Sequence, residues 1–137
     1  MADTIRRAQY FKMKAANKSG QAARALALLR KGGVNLLAFS GFPRGGQAQM
    51  DFVVSSAASF KAAARKAKLK VQGPKVCFLI AGSDRPGTGA KLTGKLASAK
   101  INVTALQAVS AGGGRYAAIL FVKPGDVKRT AKALGAR

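Results

Sequence analysis

The 137-residue chain carries 25 Lys and Arg against 4 acidic residues, a formal charge of +21, with no His, Glu or Trp and one cysteine, Cys77. Without imidazole there is no Ser-His-Asp or Cys-His pair and no histidine metal ligand, and four scattered aspartates (Asp3, Asp51, Asp84, Asp126) are poor material for paired-carboxylate or two-metal chemistry. The chain is therefore expected not to be an enzyme and to need no cofactor. Its lone thiol suits the cytoplasm, its apolar runs are too short for a membrane span, and 48% hydrophobic residues suffice for a packed core rather than disorder.

In chain order the pattern is stated twice. Placing Gly20 over Gly87, 67 residues on, aligns the halves from Ala8 to Lys70, with Phe11/Phe78, Leu29/Leu96, Asn35/Asn102, Gly45/Gly112, Gly46/Gly113 and Ala64/Ala131 identical. Phe52/Ile119, Val54/Phe121 and Phe60/Val127 follow as similar pairs. Ile5 to Lys14 reads as a strand with Phe11 and Met13 on one face, and Lys75 to Ala81 repeats it with Phe78 and Ile80. A loop and a helix follow, near Gly20 to Lys31 and Gly87 to Lys100. Strands opening at Val34 and Ile101 turn through Gly45-Gly46 and Gly112-Gly113-Gly114 into return strands, Gln49 to Ser55 and Arg115 to Lys123. Ser59 and Asp126 are expected to cap the last helix of each copy. Leu69-Lys70-Val71 offers a fourth strand to the first copy, whereas the second ends at Gly135-Ala136-Arg137, with its fourth strand short, missing or truncated.

The expected fold class is α+β: two tandem ferredoxin-like βαββαβ units, residues 1–72 and 73–137, with helices on one face of each antiparallel sheet.

Asp84-Arg85-Pro86-Gly87-Thr88-Gly89 before a helix, and Lys100-Ile101-Asn102-Val103 opening the next strand, resemble the marks of an ACT domain. The first copy matches less closely, with Asn17, Ser19 and Gly20 in the loop and Gly33-Val34-Asn35-Leu36 opening its strand. The resemblance covers nearly the whole chain. It implies a regulatory module that binds a small amino acid or related carboxylate at an interface between paired domains, a homodimer, and a regulated enzyme supplied in trans.

The residues themselves suit such a ligand. Gly87 opens a helix whose first N–H groups and positive dipole end favour an anion, with Pro86 fixing the entry, while Asp84 can meet an ammonium. Asp84, Arg85, Pro86, Gly87, Thr88 and Asn102 form the better candidate site, and Asn17, Ser19, Gly20 and Asn35 the weaker one. The plainer alternatives are that Asp84 caps the helix, that Asn102 satisfies a strand end, and that Cys77 is a small core residue.

The charge is spread over both copies: 14 basic and 2 acidic residues up to Lys70, then 11 and 2. Lys61/Arg65, Lys91/Lys95 and Lys128/Lys132 are like-charge i, i+4 pairs that each cost about 0.2–0.5 kcal/mol. A basic binding module for nucleic acid or an acidic protein is thus the alternative reading. Nucleic acid is expected to bind nonspecifically, because Tyr116, Ala118 and Leu120 share a face that the first copy fills with Gln49, Asp51 and Val53.

Overall fold

The computed structural model describes residues 3–137; Met1 and Ala2, which fall in the first predicted unit, lie outside them. The elements are β1 (Thr4–Ala16), α1 (Gln21–Lys31), β2 (Leu36–Arg44), β3 (Gln47–Val54), α2 (Ala57–Lys66), β4 (Gln72–Ser83), α3 (Thr88–Ser98), β5 (Val103–Gly112), β6 (Arg115–Val122), a 3-10 turn (Pro124–Asp126) and α4 (Val127–Leu134). They form two compact units. The central unit is Gln9–Lys75; the other joins the N-terminal segment up to Ala8 to Val76–Arg137 and is discontinuous in sequence.

This division differs from the expected boundary at 72/73, and the reason is an exchanged strand. Each unit is ferredoxin-like, but neither takes its fourth strand from the expected place. In the central unit the order is β2-β3-β1-β4, with Gln72–Lys75 rather than Leu69-Lys70-Val71 as the outer strand. In the discontinuous unit the order is β5-β6-β4-β1, with Thr4–Ala8 as the outer strand. Arg137 closes it: its N–H donates to the Ile5 carbonyl (3.1 Å) and its carbonyl accepts from Arg7 N–H (3.2 Å).

The central core is Phe11, Met13, Met50, Phe52 and Val54 from the sheet, against Ala25 and Leu29 of α1 and Phe60, Ala63 and Ala64 of α2. Phe60 is the hinge of the packing, its ring stacked on Phe11 at 4.6 Å and tilted against Phe52 at 5.5 Å. Helix α2 starts earlier than the sequence suggests. Ser56, not Ser59, is its N-cap, and Ser59 is the residue whose N–H donates to the Ser56 hydroxyl at 3.2 Å. The β2–β3 hairpin pairs Arg44 with Gln47 across Gly45-Gly46, both at positive φ (58° and 78°), as a two-residue primed turn requires.

The discontinuous core repeats this plan with Phe78, Ile80, Tyr116, Ala118, Leu120 and Val122 under Leu92 and Leu96 of α3 and Ala131 and Leu134 of α4, with Ile5 packed against it. Asp126 does stand at the N-cap of α4, but its carboxylate pairs with Arg129 (2.8 Å) instead of capping. Arg129 also donates to the carbonyls of Ala99 and Lys100, tying α4 to the end of α3.

One register expectation is corrected. Phe11 pairs with Phe52, whereas Phe78 pairs with Leu120, so β3 and β6 are related by 68 residues and not 67. The extra residue is taken up in β5, whose register shifts between Ser110 and Gly112. A one-residue slip exchanges the two faces of a strand. Tyr116, Ala118 and Leu120 therefore face the helices, and their counterparts are Ala48, Met50 and Phe52, while Gln49, Asp51 and Val53 lie on the opposite face.

Candidate functional site

The loop after β4 is held by its neighbours before any ligand is considered. Asp84 N–H donates to the Gly114 carbonyl (2.8 Å), fixing the loop to the β5–β6 turn, and Asp84 Oδ2 accepts from Ser110 Oγ (2.8 Å). Thr88 Oγ1 donates to the Arg85 carbonyl at 3.0 Å, which folds the loop into the first turn of α3. Gly87 is the N-cap at φ 86°, ψ −2°, and a Cβ there would meet nothing within 4 Å. Glycine is required for its left-handed backbone and not for space. No side chain caps α3 and no acid lies in its first turn, so Asp84 does not serve the helix as a cap. Thr88 N–H turns back to the Arg85 carbonyl (3.2 Å), and the dipole end of α3, with the N–H groups of Gly89 and Ala90, points to an outside acceptor.

Two clefts flank the loop. The first, about 230 Å³, has Asp84, Thr88 and Ser110 at its polar end and Leu92, Leu106, Ala108, Tyr116 and Ala118 along its walls. It lies on the helix side of β5, whose length is almost entirely exposed. The second, about 440 Å³, is more basic: Arg85, Lys91 and Lys95 line it together with Pro86, Asp3, Ile5 and Leu134. Arg85, Gly87 and Thr88 border both. Tyr116 closes the base of the first cleft and donates its hydroxyl to Asp3 Oδ2 (3.3 Å); burial, then the Asp3 charge, push its phenol above the ordinary value.

The structure brings Asp84, Arg85, Gly87 and Thr88 together at one cleft and puts Pro86 at the other. It does not bring Asn102 to them. Asn102 is exposed just before β5, at the end where Val103 pairs with Val122, while Ser110 sits at the other end beside Tyr116. Eight residues of extended chain separate the two, roughly 27 Å. Asn35 is likewise exposed at the start of β2, at the opposite end of the central sheet from the exposed loop of Asn17, Ser19 and Gly20. Ser110, Leu106 and Tyr116 were not legible as site residues, since only the register of β5 on β6 carries them under the loop.

The class of fold is two ferredoxin-like α+β units in one chain. No protein-family model and no curated protein sequence matches the chain. Solved structures do match its fold over nearly all of its length. A crystallised protein of Bacteroides thetaiotaomicron superposes with a TM-score of 0.79 at 16% identity, covering 97% of this chain and 88% of that one. The regulatory subunit of aspartate kinase from Thermus thermophilus, in its ligand-free form, gives 0.68 at 18% identity, covering 98% and 95%. A putative C-terminal regulatory domain of aspartate kinase from Porphyromonas gingivalis gives 0.61 at 15% identity, covering 98% and 94%.

Proposed function

We propose that the chain is a regulatory protein of the ACT type that binds a small amino acid or related carboxylate in the cleft under the Asp84 loop and acts on an enzyme in trans. One observation carries the reading. The Asp84 carboxylate and the uncapped start of α3 stand side by side at the polar end of an apolar cleft. An α-carboxylate takes the helix N–H groups and the dipole end, the α-ammonium takes Asp84, and an aliphatic side chain runs toward Leu92 and Leu106. At about 230 Å³ the cleft is below the range of sites for drug-sized ligands and suits a molecule of this class. The regulatory subunits that share its fold support the role, and the absence of histidine and of paired acids supports a binding protein over an enzyme.

A thermal-shift screen against the common amino acids tests the reading. One of them, in one enantiomer, raises Tm, by about 2.7 kcal/mol of stabilisation at a hundredfold excess over Kd, and Asp84→Ala abolishes the effect. A flat screen would sink it.

A further inference from the structure

The helices of the central unit cover one face of its sheet, and the other face has its own chemistry. On β1 the residues of that face are Tyr10, Lys12 and Lys14, and across the β3 ladder stand Val53, Asp51 and Gln49. On β2 Ser40 pairs with Asp51 and Phe42 with Gln49, while Arg44 follows two residues on. Lys75 of β4 joins them close to Lys12. Four cations therefore share the face with one acid. That acid is nearly spent: Asp51 is only 6% exposed and accepts from Gln49 Nε2 at 3.3 Å. Lys14 and Arg44 are exposed, and Lys12 and Lys75 half-buried. The charge of Lys75, followed by burial, lowers the pKa of Lys12, the mark of two cations held together with too little counter-charge. Tyr10, two residues before Lys12 on β1, and Phe42, two residues before Arg44 on β2, are half-buried on this face.

We infer that this face of the central unit binds single-stranded nucleic acid, its phosphates on Lys12, Lys14, Arg44 and Lys75 and a base against Phe42. A bare positive patch would take any polyanion. Aromatic rings set among the cations favour a ligand that has flat bases beside its phosphates, which an acidic polypeptide lacks. A duplex keeps its bases stacked inside and offers them to no ring on a sheet. Alternation along β3 puts the Met50, Phe52 and Val54 row under the helices and the Gln49, Asp51 and Val53 row on this face.

The test is fluorescence anisotropy of a labelled oligo(U) with the full chain over a salt series. Lys12→Thr/Lys75→Thr should weaken binding about tenfold or more at low salt and reduce the slope of log K on log salt by about 1.4, the share of two phosphates on a single strand. Lys14→Ala/Arg44→Ala, changing exposed residues, repeats the measurement if the first pair disturbs folding. Phe42→Leu should weaken binding about tenfold and leave the slope unchanged, since a stacked base releases no counterion. Lys128→Ala/Lys132→Ala on α4 removes the same charge elsewhere and should cost only a few-fold. The inference is overturned if the wild type does not bind, if the α4 pair weakens binding as much as the sheet pairs, or if poly-glutamate displaces the oligonucleotide at equal charge concentration. None of these readouts involves the cleft at Asp84, so either reading can fail alone.

Discussion

Ser110 Oγ on β5 donates a 2.8 Å hydrogen bond to Asp84 Oδ2 in the loop that opens α3. The bond joins the turn end of the β5–β6 hairpin to the helix start, so the carboxylate is aimed before a ligand arrives. Ser110→Ala removes this aim but leaves the Asp84 N–H bonded to the Gly114 carbonyl. It is expected to weaken amino-acid binding about fivefold, the worth of one hydrogen bond near 1 kcal/mol, while Asp84→Asn, which deletes the charge, weakens it far more. Calorimetric titration of the two variants distinguishes them.

The N-terminal segment is a structural strand of the discontinuous unit. Ile5 packs on its core, and its carbonyl accepts from Arg137 N–H. Ile5→Ala should cost about 1–2 kcal/mol, below the full cost of a buried isoleucine because Ile5 is half-buried. Urea unfolding followed by hydrogen exchange reads both the size and the place: amides of β4 and β6 should lose more protection than those of β3.

This segment also marks where the sequence ceased to be readable. The doubled Phe11 and Phe78, the helix stripes and the glycine turns are local signals, and they set the α+β fold class and the order of the elements correctly. An offset comparison assumes that each copy is self-contained, so it could not see Thr4–Ala8 leave the first copy for the second. Nor could it see the irregularity between Ser110 and Gly112, which adds one residue without changing the glycine pattern and reverses the faces of β6 relative to β3. At the site, the Asp84 to Thr88 loop was legible because glycine and proline dictate its backbone. Ser110 was not, since nothing near it in sequence distinguishes it from other strand serines.

Two helices end on lysine where glycine is the better residue. Lys68 and Lys100 have φ 59° and 57°, and the following N–H groups bond back to the Ala64 and Leu96 carbonyls, as in a Schellman end. The helices α1 and α4 reach the same bond through Gly33 and Gly135. A left-handed residue with a Cβ costs about 1–2 kcal/mol, offset in part by the chain entropy that glycine loses. Lys100→Gly and Lys68→Gly should each therefore stabilise the protein by about 0.5–1 kcal/mol, measured as a higher urea midpoint at constant m.

Asp51 gives a pH test. Burial raises its pKa above the ordinary 3.8 although Gln49, Lys12 and Lys75 oppose the shift. Between the ordinary value and the raised one the folded state holds the proton that the unfolded state has released, so stability falls as pH rises through that interval. Above it the cost is constant. Asp51→Asn, which keeps a hydrogen-bonding group beside Gln49, should have a higher Tm than the wild type at about pH 7, and the gap should close below about pH 4. A gap that persists at low pH would assign the gain to packing instead.

The most direct test of the central claim is a titration of the isotope-labelled protein with the amino acid that stabilises it, followed by amide chemical shifts. Gly87, Thr88, Gly89 and Ser110 are expected to move most, saturating together, and Asp84→Asn to suppress the movement. Shifts that are absent, or that are largest in the Asn17 to Gly20 loop while Thr88 and Ser110 stay still, would contradict it.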